Sequence, residues 1–244
     1  MRRRLFATGR RGIRGGRFFV ALLCACLLTP GLARAGGGEM VRVAQVFDGD
    51  TCRLADGRTV RLAGIDAPEG AHGGVPAQYF AAAAKAAFAR RVMGRELRLV
   101  RAGQGGDRFG RVLGDFLLPD GASVAEALVA DGAAFVFWHR DLPAALCDRL
   151  LAAARQAMAT GRGFWPRLLA LSPPARPYVG NAASRRFHDA ACPQGRAISP
   201  RNRVAFPDLR AAFAAGFAPA RECTPWPFAG GGEGASARSE TDKP

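Results

Sequence analysis

The stretch VRVAQVFDGDTCRLADGRTVRLAGIDAPEG, Val41 to Gly70, decides how this chain folds. Two β-rich runs flank Asp56-Gly57, the dipeptide of a tight type I′ hairpin. With Asp56-Gly57 as a two-residue loop, Ala55 pairs with Arg58 and Cys52 lies opposite Arg61. Asp50, Cys52 and Arg61 then project from one face. Strict alternation sends Arg61 and Asp66 to opposite faces, so the strand must bend or end between them if both serve one site. Gly64 is the expected place. Pro68 then fixes the turn that carries Glu69.

These residue types suit one chemistry. Hard divalent cations prefer carboxylate and carbonyl oxygens, and Asp50 with Asp66 offers two carboxylates. Arginine presents a planar donor fork that matches phosphate oxygens, as Arg61 can. Glu69 is left to orient or deprotonate a water. Together they describe a phosphodiester hydrolysis site, in which a metal and arginines stabilise charge developing on phosphorus. Any one of these residues alone would more often be a turn cap or a surface ion pair.

Working outward, QYFAAAAKAAFARRVM reads as a helix, and RELRLVRAGQGGDRFGRVLGDFLLPDG as two strands joined by a Gly-rich turn. SVAEALVADGAAFVFW is helical to Gly132, and LPAALCDRLLAAARQAMATG is a second amphipathic helix ended by Gly161. Strands segregated from helices predict an α+β fold with a small closed antiparallel sheet. Residues 166–184 are rich in proline and small residues, as in a linker. A second module spans about 185–226, and the tail 227–244 has almost nothing to bury and is expected to be disordered.

The whole chain has 244 residues and a formal net charge of +15. Its start has the order of a secretory signal: arginines without acids, the eleven-residue apolar run FFVALLCACLL, and a small-x-small triplet ending at Ala35. That run is too short for a membrane span. Cys26 supports a lipoprotein anchor only weakly. Cleavage after Ala35 removes eight arginines and lowers the net charge to +7. The remaining basic surface suits a polyanion such as nucleic acid, although arginine-rich composition throughout makes charge alone weak support. An exported chain with Cys52, Cys147, Cys192 and Cys223 meets an oxidising compartment, and no CxxC pair points to a four-cysteine zinc site.

In order, VFDGDT, VRLAGIDAPE, DRFGR, VAEALVADGAA and GFW resemble the staphylococcal (micrococcal) nuclease family over residues 40–165. The resemblance implies a five-stranded OB-type β-barrel with three helices, and a calcium (Ca2+)-dependent nuclease acting on DNA and RNA as a monomer, single strands preferred. It implies that Asp50, Asp66 and the Ala67 carbonyl hold calcium, with Asp48 and Thr51 supporting them. Glu69 would activate water, and Arg61 and Arg111 would bind the scissile phosphate. Arg108, Phe109, Trp138 and Arg140 would contact the nucleic acid; Phe109 stands where tyrosine is frequent, so it can stack but not donate. The alternative is a non-catalytic OB-type module binding single strands, which would not need the acid–arginine set. His72 reads as a solvated loop histidine.

The distal module resembles both a small module appended to some secreted thermonuclease-like proteins and the zinc segment of Ada-type repair methyltransferases. His188, Cys192 and Cys223 are its candidate ligands, and Ala220 stands where a fourth would be. An oxidising compartment favours a Cys192–Cys223 disulfide over zinc.

Overall fold

The computed structural model describes residues 37–138, 142–171, 176–220 and 226. The expected leader, the tail 227–244, Arg140 and Cys223 lie outside them. Among the described residues no helix is long and apolar enough to cross a membrane.

The first half of the described chain is a closed barrel. Its strands are β1 (Glu39–Val46), β2 (Thr51–Leu54) and β3 (Thr59–Leu62), followed by a two-residue strand, β4 (Ile65–Asp66). After α1 (Ala81–Val92) come β5 (Glu96–Gly106) and β6 (Val112–Leu117). The barrel order is β1-β2-β3-β6-β5. Four of its pairings are antiparallel, but β3 runs parallel to β6, with Arg61 beside Leu113, so the sheet is mixed rather than wholly antiparallel. Cys52, Leu54, Val60, Leu62, Leu97, Leu99 and Phe116 fill its interior.

The hairpin register differs by one from the expected pairing. The loop has three residues, Ala55 to Gly57: the Leu54 amide bonds the Arg58 carbonyl at 2.8 Å, and Gly57 takes a left-handed φ of 89°. Left-handed glycine closing a three-residue loop is the next commonest hairpin solution after the two-residue turn. A one-residue slip exchanges faces. Thr51, not Cys52, therefore opposes Arg61, and Cys52 pairs with Val60 inside the core.

Three helices cover the barrel. α1 buries Ala84, Ala87 and Phe88 along one stripe. α2 (Val124–Ala130) starts at Ser123, whose hydroxyl accepts from the Glu126 amide at 2.9 Å, and the short strand β7 (Phe135–Val136) pairs with β4. α3 (Ala144–Ala159) packs on α2 and buries Leu150, Ala154 and Met158.

The described parts of the segment expected to be a linker carry helix and strand. α4 (Trp165–Ala170) carries Pro166 in its first turn, where a missing N–H costs nothing, and β8 (Tyr178–Asn181) follows. Then come β9 (Arg186–Asp189), α5 (Pro193–Arg196), β10 (Arg203–Phe206), α6 (Leu209–Ala214) and β11 (Ala218–Pro219). The resulting sheet has the order β10-β8-β9-β11 and so begins before residue 185.

This sheet is not a separate module. One aromatic cluster joins Phe135, Phe164 and Trp165 to Phe187, Phe213 and Trp226. Phe164 and Trp226 meet edge to face at 5.3 Å, and Trp165 and Phe213 at 4.9 Å. Such rings bury large apolar areas and set their mutual geometry.

Candidate active site

The DGDT turn is built on Asp48. Its Oδ1 accepts from the Asp50 and Thr51 amides at 2.9 and 2.7 Å, which folds the chain back and points Asp50 inward. Gly49 is required there, because a Cβ would stand 2.6 Å from Ala67 Cβ and 2.9 Å from Ala84 Cβ. Asp50 Oδ1 accepts from the Thr51 hydroxyl at 2.8 Å, and Oδ2 accepts from the Ala67 amide at 2.8 Å. The buried turn is thereby tied to the IDAPE segment.

β3 ends at Leu62, and Gly64 takes a φ of 81° before β4 begins. This is the bend that a shared site for Arg61 and Asp66 requires. Arg61, with 12% of its side chain exposed, donates from Nη2 to Asp66 Oδ1 at 2.8 Å. Its Nη1 lies 2.7 Å from Asp50 Oδ2, an ion pair too bent to count as a hydrogen bond. Burial works against the Arg61 charge, but Asp50, Asp66, Asp48 and Glu69 outweigh it and raise its pKa. Burial likewise pushes the Asp50 carboxyl above the ordinary range, against the pull of Arg61. Two buried carboxylates thus share one buried arginine.

Glu69 sits after Pro68, where its amide donates to Gln78 Oε1 at 2.7 Å and its carbonyl accepts from the Gln78 amide at 2.9 Å. Arg111 is held by Asp107, whose Oδ2 accepts from Nε at 2.8 Å and pairs with Nη2 at 2.7 Å. Both residues line one cleft of about 1000 Å³, together with Asp48, Asp50, Thr51, Arg61, Arg108 and Phe109. Phe109 is 67% exposed at its rim, with the Arg108 and Arg111 guanidinium groups 4.8 and 5.2 Å from its ring. His72 also lines the cleft, exposed, its Nδ1 3.0 Å from the Gly70 carbonyl.

Asp66 and Ala67 are buried just beneath this surface, in a smaller hollow that Glu69 also borders. The hard-oxygen set of Asp50, Asp66 and Ala67 fits a divalent cation. Among the described residues no three His, Cys, Asp or Glu side chains group closely enough to hold a metal by themselves, so carbonyl or water oxygens would have to complete the set.

Trp138 is not on the cleft. It lies against Gly216 and under Arg185, whose guanidinium is 4.6 Å from the ring, so that face is already covered. The turns that carry Arg185 and Gly216 thus cover the ring on which the stacking role was expected. His188 does reach the cleft wall, with Nδ1 3.6 Å from Cys192 Sγ. Cys192 is disulfide-bonded, and its partner sulfur lies outside the described residues; Cys52 and Cys147 are free thiols.

Two cleft residues were missed from the sequence. Arg186 on β9 pairs through Nη1 with Asp66 Oδ2 at 2.9 Å, and it stacks 3.8 Å from the Phe137 ring centroid. Arg186 and Asp66 are 120 positions apart, and nothing local in RRFHD announces the pairing.

Residues 59–167 match the family model described as Staphylococcal nuclease homologue. Relatives from Escherichia coli and Escherichia coli O157:H7, each named "Uncharacterized endonuclease", are 34% identical over 99 residues, covering 39% of this chain. The chain spans 60% of the length of these relatives. Residues 59–167 are thus similar to that family; they hold three of the barrel's five strands, β3, β5 and β6, within an α+β architecture with a closed five-stranded barrel. That match begins after Asp48–Thr51 and ends before the four-stranded sheet.

Proposed function

We propose that this protein is an exported, calcium-dependent endonuclease that hydrolyses phosphodiester bonds of DNA and RNA with little sequence preference, leaving 3′-phosphate ends. One observation carries the reading: Arg61 joins Asp50 to Asp66 beside a cleft that also holds Glu69 and Arg111. The family match and the relatives' names support it.

The Asp50 and Asp66 carboxylates and the Ala67 carbonyl would hold the cation, with Asp48 and Thr51 fixing the turn beneath them. Calcium bound there would supply a Lewis-acidic charge against a phosphoryl oxygen and an activated water. Glu69 takes a proton from water as its oxygen bonds to phosphorus. The P–O5′ bond breaks in line, and its electron pair leaves with the 5′ oxygen, which is protonated from solvent. Arg61 and Arg111 donate to the non-bridging oxygens while negative charge grows on them. Arg108 and Phe109 hold the flanking strand by charge and stacking. The groove's affinity falls as salt rises, because phosphate binding releases counterions.

The test follows single-stranded DNA and RNA with calcium, with excess chelator, and with Glu69→Gln. Calcium-dependent cleavage lost by orders of magnitude in the variant is expected. Tight binding with no cleavage under any condition would overturn the reading in favour of a binding module.

A further inference from the structure

We propose that Arg186, supplied by the C-terminal sheet, is a positioning residue of this cleft: it holds the Asp66 carboxylate in the orientation from which Asp66 can ligate a divalent cation. The proposal rests on the nuclease reading above.

Three anchors fix its guanidinium. Nη1 donates to Asp66 Oδ2 at 2.9 Å and to the Pro219 carbonyl at 2.9 Å, and the plane lies over Phe137 at 3.8 Å. The backbone behind it cannot drift, because β9 is an inner strand between β8 and β11, and Phe187 next to it is fully buried in the aromatic cluster. Arg61 takes Oδ1 of the same carboxylate, so the two arginines grip Asp66 from opposite oxygens. A carboxylate oxygen has two lone-pair directions. Each oxygen of Asp66 therefore keeps one for a cation while the two arginines stop the carboxyl plane from turning. Groups that orient a metal ligand through its other lone pairs typically change metal affinity 10- to 100-fold when removed. Ser184, His188 and Ala220 extend the same wall of the cleft.

The alternative role has the opposite sign. If Arg186 merely filled the place of the cation, removing it would tighten metal binding. Arg185 is the internal control, since it stacks on Trp138 and Phe217 and makes no described contact with Asp66.

The experiment uses the full chain with Arg186→Gln, Arg186→Lys and Arg185→Gln. Calcium affinity is measured by titration calorimetry, and cleavage of single-stranded DNA is followed against calcium concentration. Arg186→Gln is expected to weaken calcium binding about tenfold. Saturating calcium should restore most of kcat, and KM for DNA should stay within about twofold. Arg186→Lys should fall in between, because one ammonium cannot reproduce the planar fork and the stacking on Phe137. Arg185→Gln should bind calcium as the parent does. Unchanged or tighter calcium binding in Arg186→Gln overturns the role; if that variant does not fold, unchanged binding in Arg186→Lys does so instead. A parent protein that binds no calcium and cleaves nothing overturns the nuclease reading itself, and the role with it.

Discussion

Arg61 reaches Asp66 across the bend at Gly64, and the same guanidinium closes on Asp50 from the other side. Removing it would leave two buried carboxylates without that shared countercharge. Truncating one partner of a buried ion pair costs about 3–5 kcal/mol. Arg61→Gln should lose stability of this order at pH 7 in urea unfolding, and part of the loss should return when calcium is added. A variant as stable as the parent would show that the pairing is incidental to the fold.

Gly64 has no room for a side chain. Its φ is 81°, and a Cβ would come within 2.7 Å of Leu150 Cδ1. Residues forced into such backbone regions cost about 1–3 kcal/mol each. Gly64→Ala should lower the melting temperature and, by relaxing the bend, separate Arg61 from Asp66, so activity should drop more than stability alone explains. Equal activity per folded molecule would count against the bend as a catalytic requirement.

Burial, helped by the nearby Asp48 charge, pushes the Cys52 thiol up to about 12. A raised thiol pKa keeps the neutral form dominant throughout the neutral range, and only the thiolate attacks alkylating reagents. Native protein at pH 8 should therefore leave Cys52 unmodified by iodoacetamide, whereas urea-unfolded protein should react at once. Rapid labelling of Cys52 in the folded state at pH 8 would contradict this placement.

Phe109 offers the exposed aromatic face on the cleft rim. Base stacking on such a ring is worth roughly 1–3 kcal/mol per base. In a Glu69→Gln background, where cleavage should not intervene, Phe109→Ala should weaken single-stranded DNA binding by that amount in fluorescence anisotropy. Trp138→Ala should affect stability far more than binding, since Arg185 already covers its ring.

Three of the barrel's five strands and the acid-bearing side of the cleft lie in residues 41–70, where hairpin chemistry and the glycine bend act over a few positions. The register could not be read there. Asp56-Gly57 is compatible with either loop length, and the choice was made by packing: the observed slip sends Cys52 and Val60 together into the core. Pro166 is ambiguous in the sequence for a related reason. Proline ends a helix internally but begins one comfortably, and only the burial of Trp165 and Leu168 decides which applies. Arg186 lay beyond reach because its value depends on a contact with Asp66 across 120 residues, between segments that share no periodicity. Gly49 was legible as part of a motif, yet its physical reason, the approach of Ala67 and Ala84, is tertiary.

The order of synthesis gives the sheet behind Arg186 a further meaning. A ribosome delivers Asp50, Arg61, Asp66 and Glu69 long before it delivers β9 and the Pro219 carbonyl that steadies Arg186. Trp226, which donates to the Tyr79 carbonyl at 3.3 Å, comes later still. A chain halted after Asp107 but before Ser184 would carry every acid of the cleft but not its finished wall. The cleft is thus finished only once the segment through Ala220 has been made, and a shorter nascent chain lacks one of its walls.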